Sequence, residues 1–203
     1  MRCLLSGSLI VVLFGCTSEY RALQPVNADF SRLQQFKPAF TVAMYHTQVD
    51  VVGNHFGGIL IIKKMPDSST RLLFSNEVGF KFFDFAYLPN GEFKVYSIIE
   101  QMNKKAVIKT LRKDFEILLM EHLDTARLVT RTNGKFIYYS FPNEQGFNHY
   151  ITGKDSLVRV ERASKRKAVM RGIMNNYVDG VPDTIGLSHT KFKFTIGLKR
   201  IIQ

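Results

Sequence analysis

Phe80-Lys-Phe-Phe-Asp-Phe-Ala-Tyr-Leu88 is the stretch whose reading decides the fold. With a period of two, one face offers Phe83, Phe85 and Tyr87, and the other offers Phe80, Phe82 and Leu88. Aromatic enrichment at that period predicts a strand. An antiparallel sheet with one wet face should alternate cleanly between apolar and polar, so a strand apolar on both faces needs cover on both. Ile59-Leu-Ile-Ile62 and Phe136-Ile-Tyr-Tyr-Ser-Phe141 share the property. The sheet must therefore curl, around either an apolar core or an apolar cavity. The seventeen Phe and the absence of Trp fit both alternatives.

Working outward, strands are predicted near residues 40–51, 56–64, 71–75, 80–88 and 92–99, then near 126–132, 135–141, 147–152, 156–163 and 168–174, with a final pair at 183–188 and 191–202. The connectors Pro66-Asp67-Ser68-Ser69 and Pro89-Asn90-Gly91 are turn chemistry, and Asn-Gly favours a hairpin. Between the two strand groups lies Lys104–Leu123. Its Ile108, Leu111, Phe115, Leu118 and Leu119 recur at helical spacing, and neither Gly nor Pro interrupts it. A shorter helix is expected from an Asn27 cap, with Phe30, Leu33 and Phe36 on one face and Pro38 as its stop. The fold class is mainly β (α+β). A single curved antiparallel sheet of about eleven strands forms an incomplete barrel, with one long central helix and a short N-terminal one. No repeat or internal boundary breaks residues 27–203, which read as one domain.

The start of the chain has a different character. Arg2 precedes a short apolar run through Leu13 and Phe14, too short for a span of roughly 20 residues and typical of a secretory signal. Its end, Leu13-Phe14-Gly15-Cys16, resembles the lipobox of bacterial lipoproteins. That resemblance implies removal of residues 1–15 and attachment of a diacylglycerol to the Cys16 sulfur. More than one acyl chain on one cysteine holds permanently, since each buried methylene contributes about 0.8 kcal/mol. Residues 16–26 then read as a polar tether. The other cysteine, Cys3, would leave with the signal, so the mature chain would carry no free thiol and no disulfide.

The formal charge is +11. In an envelope protein such a basic surface points to anionic headgroups rather than to nucleic acid. The excess concentrates between Lys154 and Arg171, with seven Lys or Arg against two acidic residues. Lys165, Arg166 and Lys167 read as the tip of a hairpin, either simply solvated or in contact with headgroups.

In order and type of elements, with Gly57-Gly-Ile-Leu-Ile-Ile62, Phe80–Phe85 and the closing strand pair from Val181 to Lys199, the chain resembles the LolA/LolB fold of lipoprotein carriers and outer-membrane acceptors. The resemblance implies a half-barrel whose concave apolar face is lidded by helices. It places Phe83, Phe85, Tyr87, Ile108, Leu111 and Phe115 around an apolar cavity. It also implies an early hairpin loop that helps membrane insertion, which would make Met65 a membrane-contact residue.

Catalytic signatures are missing. The histidines are scattered without zinc spacing, and no Cys is available as a ligand, so no metal or cofactor is expected. Gly186-Leu-Ser-His lacks the second glycine of a nucleophile elbow, and Asp114 and Glu116 lie on opposite helix faces. The expectation is a non-enzymatic envelope lipoprotein that binds or transfers lipid or acylated protein, with a possible part in lipoprotein localisation. By resemblance to the common sorting rule of lipoproteins, Thr17 in place of Asp after Cys16 implies the outer membrane, facing the periplasm. The alternative is an assembly or scaffold lipoprotein that docks another envelope protein through its edge strands or basic hairpin.

Overall fold

The computed structural model describes residues 18–51, 53–121 and 123–202. Cys3, Cys16 and His122 fall outside them, and with them the expected signal and lipidation site.

The chain forms one antiparallel sheet of thirteen strands. In chain order these are β1 (Gln24–Pro25), β2 (Val42–Val51), β3 (Asn54–Lys64), β4 (Thr70–Ser75), β5 (Lys81–Tyr87), β6 (Phe93–Ile98), β7 (Val129–Thr132), β8 (Ile137–Asn143), β9 (Gly146–Thr152), β10 (Leu157–Ser164), β11 (Ala168–Val178), β12 (Val181–His189) and β13 (Phe194–Arg200). A short helix α1 (Ser31–Gln34) precedes β2, and the long helix α2 (Lys105–Leu119) separates β6 from β7. The sheet order is β1-β7-β8-β9-β10-β11-β12-β13-β2-β3-β4-β5-β6. Two hairpin meanders, β2–β6 and β7–β12, are thus joined by β13, which pairs with β12 on one side and β2 on the other. The outer strands β1 and β6 do not pair with each other, so the barrel stays open.

Local chemistry explains the turns. Gly91 closes a hydrogen bond to Leu88, with Pro89 and Asn90 at the central positions and Gly91 itself at φ 82°. This is a turn followed by a left-handed residue, which a glycine adopts at no steric cost. Met65-Pro66-Asp67-Ser68 repeats the pattern with Ser68 at φ 65°, and Asp67 Oδ1 accepts the Ser69 amide. Helix α2 ends where Met120 turns left-handed, earlier than the apolar periodicity predicts.

The concave side is solidly packed. Phe83 and Phe85 stack at 4.4 Å, Phe83 meets Phe115 of α2 edge-on at 6.0 Å, and Leu60, Leu72, Phe74 and Leu111 are fully buried with them. Of the two sequence alternatives, the sheet curls around a core. The other face of β5 is roofed by side chains: Arg71 forms a bidentate pair with Asp84 at 2.8 Å and lies over the Tyr96 ring. The other face of β8 is roofed by the segment expected to be a free tether. Residues 18–26 lie against β7–β11 because Tyr20, Gln24 and Pro25 find partners there: the Tyr20 ring packs at a tilt against His149, and β1 pairs with β7.

Candidate functional site

Helix α2 is the organising element. Its buried face carries Val107, Leu111, Asp114, Phe115, Ile117 and Leu118, while Lys105, Lys109 and Arg112 face outward. It fills the concavity and is tied to both halves of the sheet. From β5, the Tyr87 hydroxyl donates to the Arg112 carbonyl at 2.5 Å, and from β9 the Tyr150 hydroxyl donates to the Ile117 carbonyl at 3.0 Å. Burial pushes both phenols well above their ordinary range, so they remain donors. Beyond the helix, Glu121 accepts from Lys64 and Thr70.

At its centre Asp114 is fully buried against two cations or potential cations. His189 Nε2 lies 2.7 Å from its Oδ2, and Arg162 Nη1 lies 3.0 Å from its Oδ1. The second contact is off the hydrogen-bonding axis, leaving Asp114 Oδ1 and Arg162 Nη1 as an ion pair without a hydrogen bond. Such a group links α2 to β10 and β12 by charge and shape together.

Alongside α2 runs a slot of about 890 Å³. Phe93, Ile108, Phe141 and Tyr150 contribute apolar surface to it, Lys105, Lys109, Arg112, Lys113, Arg127 and Arg162 contribute cations, and Glu116, Glu121, Asp124 and Glu144 contribute carboxylates, with Glu144 held to Lys113 at 2.9 Å and Asp124 to Arg127 at 2.5 Å. The hydrogen bond from Lys113 holds the Glu144 carboxyl below its usual range. A volume of this order and this mixture of surfaces suit an amphiphile.

The predicted cavity residues are distributed accordingly. Phe83, Phe85, Tyr87, Leu111 and Phe115 are enclosed in the packed core beneath and beside α2, whereas half-buried Ile108 opens onto the slot. The four predicted membrane-contact residues do not lie together. Met65 is half-buried in the β3–β4 turn at one end of the sheet, while Lys165, Arg166 and Lys167 are exposed on the β10–β11 turn at the other end. The antiparallel register fixes that separation, since β3 runs toward Met65 as β10 runs toward Ser164 along a continuous ladder.

A second polar cluster was missed from sequence. Glu161, almost wholly buried, accepts from Tyr20 Oη at 2.7 Å and Arg159 Nε at 2.7 Å, with Arg171 Nε at 3.4 Å. Beside it His149 Nδ1 contacts Ser140 Oγ at 2.8 Å, and burial lowers the imidazole pKa to about 4. The local signal was the Arg159-Val160-Glu161 alternation, which places Arg159 and Glu161 side by side, but the other partner, Tyr20, is 141 residues away. Among the described residues no group of three His, Cys, Asp or Glu side chains could hold a metal. None of their helices is long and apolar enough to cross a membrane.

No family model and no curated protein matches the sequence. Solved structures of similar chain course include a DUF1329 family protein from Desulfovibrio piger, with TM-score 0.44, 11% identity and coverage of 84% of this chain and 88% of that one. Another is a putative outer membrane lipoprotein-sorting protein domain from Vibrio parahaemolyticus, with TM-score 0.45, 8% identity and coverage of 85% and 90%. At these values the likeness is one of general shape.

Proposed function

We propose that this chain is a non-enzymatic envelope lipoprotein, anchored through Cys16 in the outer membrane and facing the periplasm, that binds or transfers a lipid or an acylated protein in its half-barrel. The observation that supports this reading is the seating of α2. An amphipathic helix occupies the concave apolar face of an open sheet, and a slot with apolar walls and a mixed-charge rim, in which cations outnumber carboxylates, runs along it. An acyl chain entering the slot beside α2 gains roughly 25 cal/mol for each Å² removed from water. The guest's anionic or polar head would meet the lysines and arginines of the rim.

The test is uptake of a fluorescent fatty acid by the purified protein, with mass spectrometry of lipids that co-purify. Binding should quench on addition of Ile108→Glu, which puts a charge in the slot. Repeated lipid-free preparations that take up no fatty acid would overturn the reading. Radioactive fatty-acid labelling of cells tests the anchor separately: wild type should carry label and Cys16→Ala should not.

A second reading, docking of another envelope protein, is favoured by one feature. Strand β6 is an unpaired edge that exposes Val95 and Tyr96, and an added strand could pair there. A stoichiometric crosslinked partner on β6, with no fatty-acid uptake, would select it.

A further inference from the structure

The antiparallel order puts the β2–β3, β4–β5, β8–β9, β10–β11 and β12–β13 turns at one end of the sheet. That end is unusual in its side chains. Val78 is 89% exposed, Phe80 56% and Phe192 51%. At the same end of the sheet Lys191 and Lys193, which flank Phe192, and Lys165, Arg166 and Lys167 of the β10–β11 turn are exposed and make no ion pair among the described residues. The acidic groups nearby are mostly engaged: Asp50 with His55, Glu144 with Lys113, and Glu19 with Arg171, leaving Glu77. A cleft of about 690 Å³ between the β2–β3 and β12–β13 turns is lined by His55, Lys191, Phe192 and Lys193.

The described chain also begins at this end. Ser18 Oγ donates to the Lys165 carbonyl at 3.3 Å, the Glu19 amide donates to the Arg166 carbonyl at 2.8 Å, and the Glu19 carboxylate meets Arg171 at 2.9 Å. Cys16 is two residues before Ser18, a reach of at most about 7 Å. An acyl anchor there would hold these five turns, and not the opposite end with Met65, against the bilayer.

We propose that this end of the sheet is a membrane-contact face for anionic phospholipid, with Val78, Phe80 and Phe192 entering the interface and Lys165, Arg166, Lys167, Lys191 and Lys193 meeting headgroup phosphates. Apolar tips and unpaired cations on one end of a sheet are the chemistry of interfacial binding, in which basic residues near the surface are drawn to anionic lipid. The face rests on the anchored reading of Cys16 for its placement. It goes further by fixing which way the half-barrel stands, with the sheet's strands running away from the membrane.

The test uses the acylated wild-type protein in vesicles of phosphatidylcholine containing roughly a third of phosphatidylglycerol, enough to set a negative surface potential. A photo-crosslinking residue is placed at Phe80 or Phe192, or at Val178 or Asp155 on the far side. Lipid adducts at Phe80 and Phe192 should exceed those at the far positions by about tenfold, and should fall in the Lys165→Ala, Arg166→Ala, Lys167→Ala variant or when phosphatidylglycerol is left out. Equal adducts at both ends, or more at Val178 and Asp155, would overturn the face. The mass of the N-terminal peptide reports acylation independently. If Cys16 carries no acyl chain, the anchor falls by that measurement, and the adduct pattern still decides the face.

Discussion

His149 sits between Tyr20 and Phe147, with ring centroids at 4.5 and 5.7 Å, and burial keeps it neutral down to about pH 4. The unfolded chain takes up that proton near pH 6.5. Stability is therefore fully present above pH 6.5 and lost as pH falls from there toward 4, by roughly 3 kcal/mol in the limit. Urea denaturation at pH 7.5 and pH 4.5 should show the loss, and His149→Gln should flatten it. Asp114 makes the complementary prediction. Removing a buried carboxylate that faces both His189 and Arg162 leaves a cation uncompensated, so Asp114→Ala should cost about 3–5 kcal/mol in chemical denaturation. These groups were poorly legible in sequence for one reason. Asp114 reads as a polar residue on a helix, and nothing local announces that His189, 75 residues on, will meet it.

At the scale of elements, β3 carries two adjacent glycines with opposite consequences. A Cβ on Gly57 meets nothing within 4 Å, whereas one on Gly58 would fall 2.1 Å from the Ser75 carbonyl oxygen, where β4 and β5 bulge past each other. Gly57→Ala should leave the thermal midpoint within a degree or two, while Gly58→Ala should lower stability by about 2 kcal/mol or more. Helix α2 gives the second prediction. Tyr87→Phe and Tyr150→Phe each delete one hydroxyl latch, at about 1 kcal/mol apiece. The double variant should speed amide hydrogen exchange across residues 105–119 more than across β11 or β12. It should also bind fatty acid faster if α2 gates the concavity. Periodicity made nearly all these elements legible, since the strands from β2 to β13 and α2 coincide with period-two and helical patterns. Strand β1 was not legible: two residues, one of them Pro25, carry no period. The added length of β11 was available in Asp179-Gly180, a two-residue hairpin signal at φ 52° and 72°.

Across the whole molecule, the open mainly-β sheet and its central helix were legible because faces apolar on both sides leave few other solutions. The filling of the concavity was not. Volume depends on how Phe83, Phe85 and Phe115 interlock, and a list of apolar residues cannot distinguish a plugged barrel from a hollow one. Strand order was also beyond reach, because no local signal says that β13 will sit between β12 and β2. That placement predicts an uneven response to truncation. Deleting residues 194–203 removes a strand from the middle of the sheet and should abolish the cooperative thermal transition, whereas removing residues 18–25 strips one two-residue edge strand and the Tyr20 contact and should lower the midpoint while keeping the transition cooperative.

The same seam governs timing. Made from its N-terminus, the polypeptide can assemble the β2–β6 meander early, but this cannot be zipped to β7–β12 in one sheet until residues 194–200 have emerged. Long-range pairing of that kind is slow to form. A translocase that threads slack polypeptide would thus find residues 42–189 in two unjoined parts until that seam is made.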